Sequence, residues 1–414
     1  MGITIKSNDV IERDLYLNRL RSYIDKPLIK VITGIRRCGK SAILALLKNE
    51  LISRGIDEKH ILHLNFESME LAELDTAEKL YKFVRAGIKD KKRFYFLLDE
   101  IQEVERWEKA VNSFFVDLNA DIYITGSNSH LLSSELATYL AGRYVEIDLY
   151  TLSFEEYLLF KRVQTGTETE DQRLEFSGFL RSGGFPVLQI ADYSEETAGR
   201  VVYDIYSSII LRDVVQRNNI RDVELLERVV RYVFDNVGNK FSAGNVADYF
   251  KSQQRKIDLN TVYNYLNALE GAFIIYRVPR YDIKGKEILK TLEKYFVGDP
   301  SLIHAVMGYR DRNISGLLEN IVFLELMRRG FRVFTGRSDE REIDFIATNG
   351  DKKVYVQVAF RMEAQSTIDR EFSPLIEIRD HHAKYVVTMD DVWRDNIEGI
   401  NHKHIADFLL MKEF

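Results

Sequence analysis

Gly34-Ile35-Arg36-Arg37-Cys38-Gly39-Lys40-Ser41 satisfies the pattern GxxxxGK[ST] at every fixed position and follows the apolar run Leu28-Ile29-Lys30-Val31-Ile32. Glycine tolerates the dihedrals of a phosphate-wrapping loop and keeps Cβ atoms out of the way, so backbone N–H groups can converge on an anion. Gly34, Arg37, Cys38, Gly39, Lys40, Ser41 and Ala42 are therefore the expected nucleotide contacts. Lys40 would neutralise the β and γ phosphates. Ser41 would coordinate Mg²⁺ at the start of a helix whose N-terminal dipole favours the anion. The fixed positions alone arise by chance in roughly one or two of a hundred chains of this length. The flanks decide, because an apolar strand leads in and the good helix formers from Ala42 to Leu51 lead out.

Arg93-Phe94-Tyr95-Phe96-Leu97-Leu98-Asp99-Glu100 is a buried-strand run ending in two adjacent carboxylates, the pattern called Walker B. Asp99 would hold Mg²⁺ through water, and Glu100 would polarise the water attacking a phosphoryl group in line. Further strands are expected at 61–66 and 121–125, with helices at 76–88 and 107–118. That alternation implies a parallel sheet wrapped by helices, with ligands at the carboxyl ends of the strands. Ser127 and Asn128, just past the strand ending at Thr125, then fall beside the phosphates. Either could orient the lytic water, or cap a helix from His130.

Taken together, Gly34–Ser41, Asp99-Glu100, Thr125-Gly126-Ser127-Asn128 and Ala141-Gly142-Arg143-Tyr144-Val145-Glu146-Ile147 leading into Leu152-Ser153-Phe154-Glu155-Glu156-Tyr157 resemble the bacterial and archaeal AAA-type ATPases that carry a nuclease-like C-terminal domain. The resemblance covers nearly the whole chain. It implies an α/β fold: a P-loop NTPase core with a five-stranded parallel sheet, then a helical lid, a winged helix and a C-terminal α/β nuclease-like domain. It also implies that Asn128 is the polar residue called sensor 1, and that Arg143 reaches the γ-phosphate of its own or a neighbouring subunit. On those terms Lys40, Glu100, Asn128 and Arg143 form the catalytic set, with Ser41 and Asp99 on the metal.

Composition fits a soluble cytoplasmic machine. A chain that is 45% hydrophobic and 29% charged can bury two or three cores. A net charge of −6 argues against wholesale coating of nucleic acid. The single cysteine, Cys38, excludes an intramolecular disulfide and suits a reducing compartment. No basic leader followed by an apolar stretch precedes the loop, and no uncharged apolar run is long enough to span a bilayer, so no membrane partner is expected.

The expected organisation is an ATPase core over 1–150, a lid or linker over 151–222, a winged-helix-like domain over 223–300 and a nuclease-like domain over 301–414. The lid pattern is helical from Phe154 to about Val215, broken by Ser182-Gly183-Gly184-Phe185-Pro186. Helices at 224–237, 243–250 and 260–269 followed by strands at 272–278 and 295–297 give the order of a winged helix. Between Lys251 and Lys294 lie nine basic residues, Lys251, Arg255, Lys256, Arg277, Arg280, Lys284, Lys286, Lys290 and Lys294, against five acidic ones, a local excess of +4. Contact with the DNA backbone is open there, as is packing or a protein partner.

In the last third, Glu319 on a helix over 317–329, Asp344 on a strand and Gln357 on the next strand resemble the PD-(D/E)xK nuclease fold, whose acidic residues gather Mg²⁺. Two positions depart: Gln357 stands for a carboxylate and Ala359 for the lysine, with Arg361 the residue able to replace that charge. A degenerate, non-cleaving module is the expectation. Two functions follow. One is Mg²⁺-dependent ATP hydrolysis acting on nucleic acid through the C-terminal half. The other is a nucleotide switch or assembly scaffold whose C-terminal module recruits a partner, with a homo-oligomer compatible with both. ATP rather than GTP rests on the resemblance, since no N-K-x-D pattern follows the sheet.

Overall fold

Ile29–Thr33 is buried at every position, as a central parallel strand flanked on both faces must be. The computed structural model describes residues 10–129, 140, 142–167, 171–252, 257–283, 285, 287–310, 314–338, 341–390 and 396–414. They divide into two compact units, Met1–Leu149 and Tyr150–Phe414.

The first unit runs α1 (Asp14–Tyr23), β1 (Ile29–Thr33), α2 (Lys40–Ser53), β2 (Ile61–Asn65), α3 (Ala77–Gly87), β3 (Phe94–Asp99), α4 (Trp107–Asp117), β4 (Ala120–Gly126) and β5 (Tyr144–Asp148). Its five strands lie in the order β2-β3-β4-β1-β5, and every pairing is parallel. One face buries Ile29, Val31, Phe96 and Ile124 against Leu80 and Val84 of α3 and Val111 and Phe114 of α4. Each such side chain contributes about 1.5–3 kcal/mol of burial. Lys30 and Ile32 alternate to the other face. Lys30 is fully buried there and its ammonium is bonded by Asp121, so the charge is paired where it is removed from water.

The second unit begins with α5 (Phe154–Thr165), α6 (Gln172–Ser182), α7 (Glu195–Ser208) and a π-helical stretch, Ile209–Gln216. Ser153 and Glu156 form a reciprocal cap at the start of α5. The expected break falls where the glycines stand, since α6 ends at Ser182 and Gly183 has a φ of 69°. Then come α8 (Val223–Asp235), β6 (Lys240–Phe241), α9 (Ala243–Ser252), α10 (Leu259–Gly271), β7 (Ile275–Asp282), β8 (Glu287–Val297), α11 (Pro300–Met307) and α12 (Ile314–Arg328). The chain closes with β9 (Arg332–Ser338), β10 (Arg341–Asn349), β11 (Lys352–Val358), α13 (Gln365–Ile376), β12 (Ala383–Thr388), β13 (Asn396–Ile397), β14 (Ile400–His404) and α14 (Ile405–Leu409).

Helices α8, α9 and α10 followed by the β7–β8 hairpin reproduce the element order expected over 223–300. The hairpin is not self-contained. Strand β7 pairs in parallel with β9, so one mixed sheet of nine strands runs β13-β14-β12-β11-β10-β9-β7-β8-β6. The segments expected separately as 151–222, 223–300 and 301–414 thus lie in one compact unit. No described helix is long and apolar enough to cross a membrane.

Candidate functional site

The phosphate loop leaves β1 at Thr33 and enters α2 at Lys40, and its backbone is one that glycine makes accessible. Gly39 has a φ of 107°, and a Cβ added at Gly34 would meet the Leu149 carbonyl oxygen at 2.1 Å. Arg37 also lies in the left-handed region, with a φ of 70°, and is exposed. The loop is braced from α1's side: Arg13, itself buried, donates through Nη1 to the Cys38 carbonyl at 2.9 Å. Cys38 is fully buried, and that burial pushes its thiol above the ordinary value, so it is packing rather than a reactive group.

Lys40 Nζ donates to the carbonyl oxygens of Gly34 at 3.1 Å and Ile35 at 3.4 Å, and lies 3.4 Å from Glu100 Oε1. Burial alone would lower the pKa of this ammonium. Glu100, Cys38 and Asp99 around it more than reverse that, and the charge is held above its usual range. Glu100 is likewise kept ionised against its own burial by Lys40, Gln102 and Arg36. It sits at a φ of 54°, and its backbone N–H donates to Thr125 Oγ1 at 2.9 Å. A side chain turned out of the end of β3 in this way is aimed by strain that Thr125 on β4 helps to hold.

Asp99 closes the arrangement. Its Oδ1 accepts from Thr125, and burial raises its pKa against the opposing pull of the neighbouring Ser41 and Thr125 hydroxyls. Its Oδ2 is buried without a hydrogen-bond partner. A buried, unpartnered carboxylate oxygen beside a serine hydroxyl is the donor set of a hard cation, so Ser41 and Asp99 fit Mg²⁺. The ion would supply neutralisation of phosphate charge. Ser127 and Asn128, both fully buried, follow β4, whose Gly126 is in register with Thr33, and this places them at the loop's end of the sheet. Residues 130–139 and Ala141 lie outside the described residues, and the helix expected from His130 with them.

Arg143 stands apart from this cluster. It immediately precedes β5, whose Tyr144 is in register with Ile29 at the start of β1 and whose Asp148 is in register with Thr33 at its end. A strand's length, about 15 Å, separates it from the loop, and it is an exposed side chain hydrogen-bonded to Asn112 Oδ1 at 3.0 Å. Within one chain it does not join Lys40, Glu100 and Asn128.

These features define a class: a protein with a phosphate-binding loop and an acidic strand end on a five-stranded parallel sheet. The family model described as an AAA domain matches residues 26–158, and a domain of unknown function matches 173–313. An uncharacterised protein of Haemophilus influenzae is 39% identical over 98% of this chain and 100% of its own length. Another, from Methanocaldococcus jannaschii, is 32% identical over 86% of this chain and 79% of its length. The chain belongs to the family these two proteins represent. In fold it is similar to the Walker-type ATPase of Pyrococcus abyssi, with a TM-score of 0.52 at 15% identity over 74% of this chain and 99% of that one.

The second unit brings Glu319 of α12, Asp344 of β10 and Gln357 of β11 to one cavity of about 640 Å³, which Glu371 of α13 also lines. Glu371, absent from the sequence reading, accepts from Gln357 Nε2 at 2.8 Å, while Gln357 Oε1 accepts from the Asp344 N–H at 3.1 Å. Both ends of the amide are therefore in use, and Asp344 Oδ2 accepts from the Val358 N–H at 2.9 Å. Burial, then the neighbouring Asp344, pushes the Glu319 pKa up, while Lys294 beside it favours the carboxylate. Arg361, the residue considered in place of the missing lysine, lines the same cavity but lies 3.7 Å from Glu363 in an ion pair. The donors present do not fit a metal ion: among the described residues no three His, Cys, Asp or Glu side chains are placed to hold one.

The basic segment is thinner than its sequence. Arg255, Lys256, Lys284 and Lys286 lie outside the described residues, as does the side chain of Lys290. Of the rest, Arg280 and Lys294 are buried, and Arg277 lies 3.3 Å from Glu270. Lys251 is exposed.

Proposed function

We propose that this protein hydrolyses ATP with Mg²⁺, using Lys40 on the β and γ phosphates, Ser41 and Asp99 on the ion, Glu100 to polarise water and Asn128 to orient it. The observation that carries this reading is the unpartnered Asp99 Oδ2 beside Ser41, with the Lys40–Glu100 pair completing the cluster. Glu100, held ionised by Lys40, can accept a proton from water, and Thr125 fixes the main chain from which it projects. Gly34, Arg37, Cys38, Gly39 and Ala42 supply loop contacts to the phosphates. The Arg143 of one copy would serve the γ-phosphate of another, which makes a homo-oligomer part of the proposal.

In the same reading, 151–222 is a lid or linker, 223–300 a winged-helix-like region and 301–414 a degenerate nuclease-like module. Contact with DNA then rests on Lys251 and on the basic residues of 253–256 and 284–290. Turnover of ATP should be measured with and without duplex DNA, using Glu100→Gln as control. A loss of about 10²–10⁴-fold is expected on removing a general base. ATP turnover unaltered by Glu100→Gln would refute the assignment. Stimulation by DNA supports the acting-on-nucleic-acid half, and its absence favours the switch or scaffold, for which the engaged donors of the acidic cavity already speak.

A further inference from the structure

The acidic cluster of the second unit already holds a cation of its own. Lys294, on β8, is 3% exposed, and its Nζ lies 3.0 Å from Glu319 Oε2, 2.9 Å from Glu342 Oε1 and 3.3 Å from Asp344 Oδ1. We infer that the Lys294 ammonium is the built-in cation of this acidic site, taking the place of a divalent ion between Glu319 and Asp344, so that the wild-type module binds neither Mg²⁺ nor Mn²⁺ there.

Three features carry the inference. First, an ammonium already bridges the carboxylates that would have to share an ion, and a second cation would have to sit against it. Second, beside the ammonium the other oxygens of the cavity are turned to hydrogen bonds within the protein, which an ion could replace only once the ammonium is gone: Gln357 Oε1 to the Asp344 N–H, Asp344 Oδ2 to the Val358 N–H, and Glu371 Oε2 to Gln357. Mg²⁺ demands near-ideal octahedral oxygen geometry at about 2.0–2.1 Å, and these donors are engaged at hydrogen-bond distances. Third, Lys294 is fixed where it is. Its strand neighbour Val297 exchanges two backbone hydrogen bonds with the Asn320 amide of α12, at 2.6 and 2.8 Å. Lys240 of β6, in register with Lys294, pairs with the remaining oxygen of Glu342 at 2.6 Å. The hairpin thus delivers a cation to a helix and a strand far from it in sequence.

Mn²⁺ binding to the nucleotide-free full chain, followed by electron paramagnetic resonance, tests this independently of ATP turnover. Wild type and Asp344→Asn should bind the same amount of Mn²⁺. Folded Lys294→Met, with a side chain of similar length and no charge, should gain one equivalent, and Lys294→Met with Asp344→Asn should lose it again. A wild-type Mn²⁺ site that disappears in Asp344→Asn overturns the inference, and this comparison holds even if Lys294→Met does not fold. A folded Lys294→Met that binds no more Mn²⁺ than wild type also overturns it, as does Mn²⁺-dependent cleavage of plasmid DNA by wild type that Asp344→Asn abolishes.

Discussion

At Gly34 the loop has no room for a methyl group, because the main-chain oxygen of Leu149 lies 2.1 Å from where it would go and the Cys38 sulfur 3.0 Å. Leu149 cannot retreat freely, since its own N–H is bonded to Thr33 at 2.7 Å. Gly34→Ala should therefore shift the phosphate loop. Its expected cost is about 1–3 kcal/mol of stability and at least about a tenfold loss of ATP affinity, read by thermal unfolding and calorimetry. Native affinity in that variant would mean that the loop relaxes without consequence. Cys38 gives the opposite expectation. Its buried, protonated thiol should resist alkylation in the folded protein at pH 7 and react at the ordinary rate once unfolded, and labelling within minutes under native conditions would contradict that. Lys40, Ser41, Asp99 and Glu100 were legible because the chemistry stands in two short contiguous runs. Arg13, Thr125, Lys294 and Glu371 were not, because each meets its partner only after folding: Arg13 lies 25 residues from Cys38 and Lys294 lies 50 from Asp344. A lone arginine or lysine in a sequence carries no mark of that.

Among the elements, α10 and the β7–β8 hairpin carry the clearest pH dependence. Glu270, at the end of α10, is pushed up to about 7 by burial, with Arg277 opposing and Glu293 adding to the rise. Its ordinary value is 4.5, so between about 4.5 and 7 the folded chain holds a proton that the unfolded chain has released. Stability from this group is complete below 4.5 and is lost as pH climbs through about 7. Glu270→Gln should remove that part of the slope and gain about 1–3 kcal/mol above pH 7. Denaturant unfolding at pH 5 and pH 8 compares the two proteins, and parallel pH profiles would rule the effect out. The strands of the first unit were visible as apolar runs, whereas β8 begins at Glu287, well before the strand expected at 295–297, and β9, β12, β13 and β14 were not read at all. What the runs do not encode is the partner. Periodicity says that Ile275–Asp282 is extended, but the parallel pairing of Arg280–Asp282 with Thr335–Arg337 depends on residues more than 50 positions away. That pairing joins the expected wing to the C-terminal strands.

Across the molecule, Arg143 is the residue for which the proposed function calls on a second copy. It stands at the start of β5, whereas the phosphate loop, Glu100 and Asn128 gather at the carboxyl ends of β1, β3 and β4. It is exposed, hydrogen-bonded to the neutral Asn112 side chain and 5.8 Å from the centre of the Phe115 ring, so exchanging those contacts for a phosphate costs about 1 kcal/mol for the hydrogen bond and about 0.5–1 kcal/mol for the exposed cation–π contact. If two copies share a site, Arg143→Ala and Glu100→Gln damage different halves of it. The first should lose about 10³-fold or more in kcat, in the range of an arginine supplied in trans, and the second should be nearly inert. Mixed in equal amounts, they create interfaces in which an intact Lys40–Glu100 site faces an intact Arg143. The mixture should then turn over ATP several-fold faster than the sum of its parts, and wild-type specific activity should rise with protein concentration. A mixture that merely adds, together with activity independent of concentration, would remove Arg143 from catalysis and leave it as a surface arginine resting on Asn112.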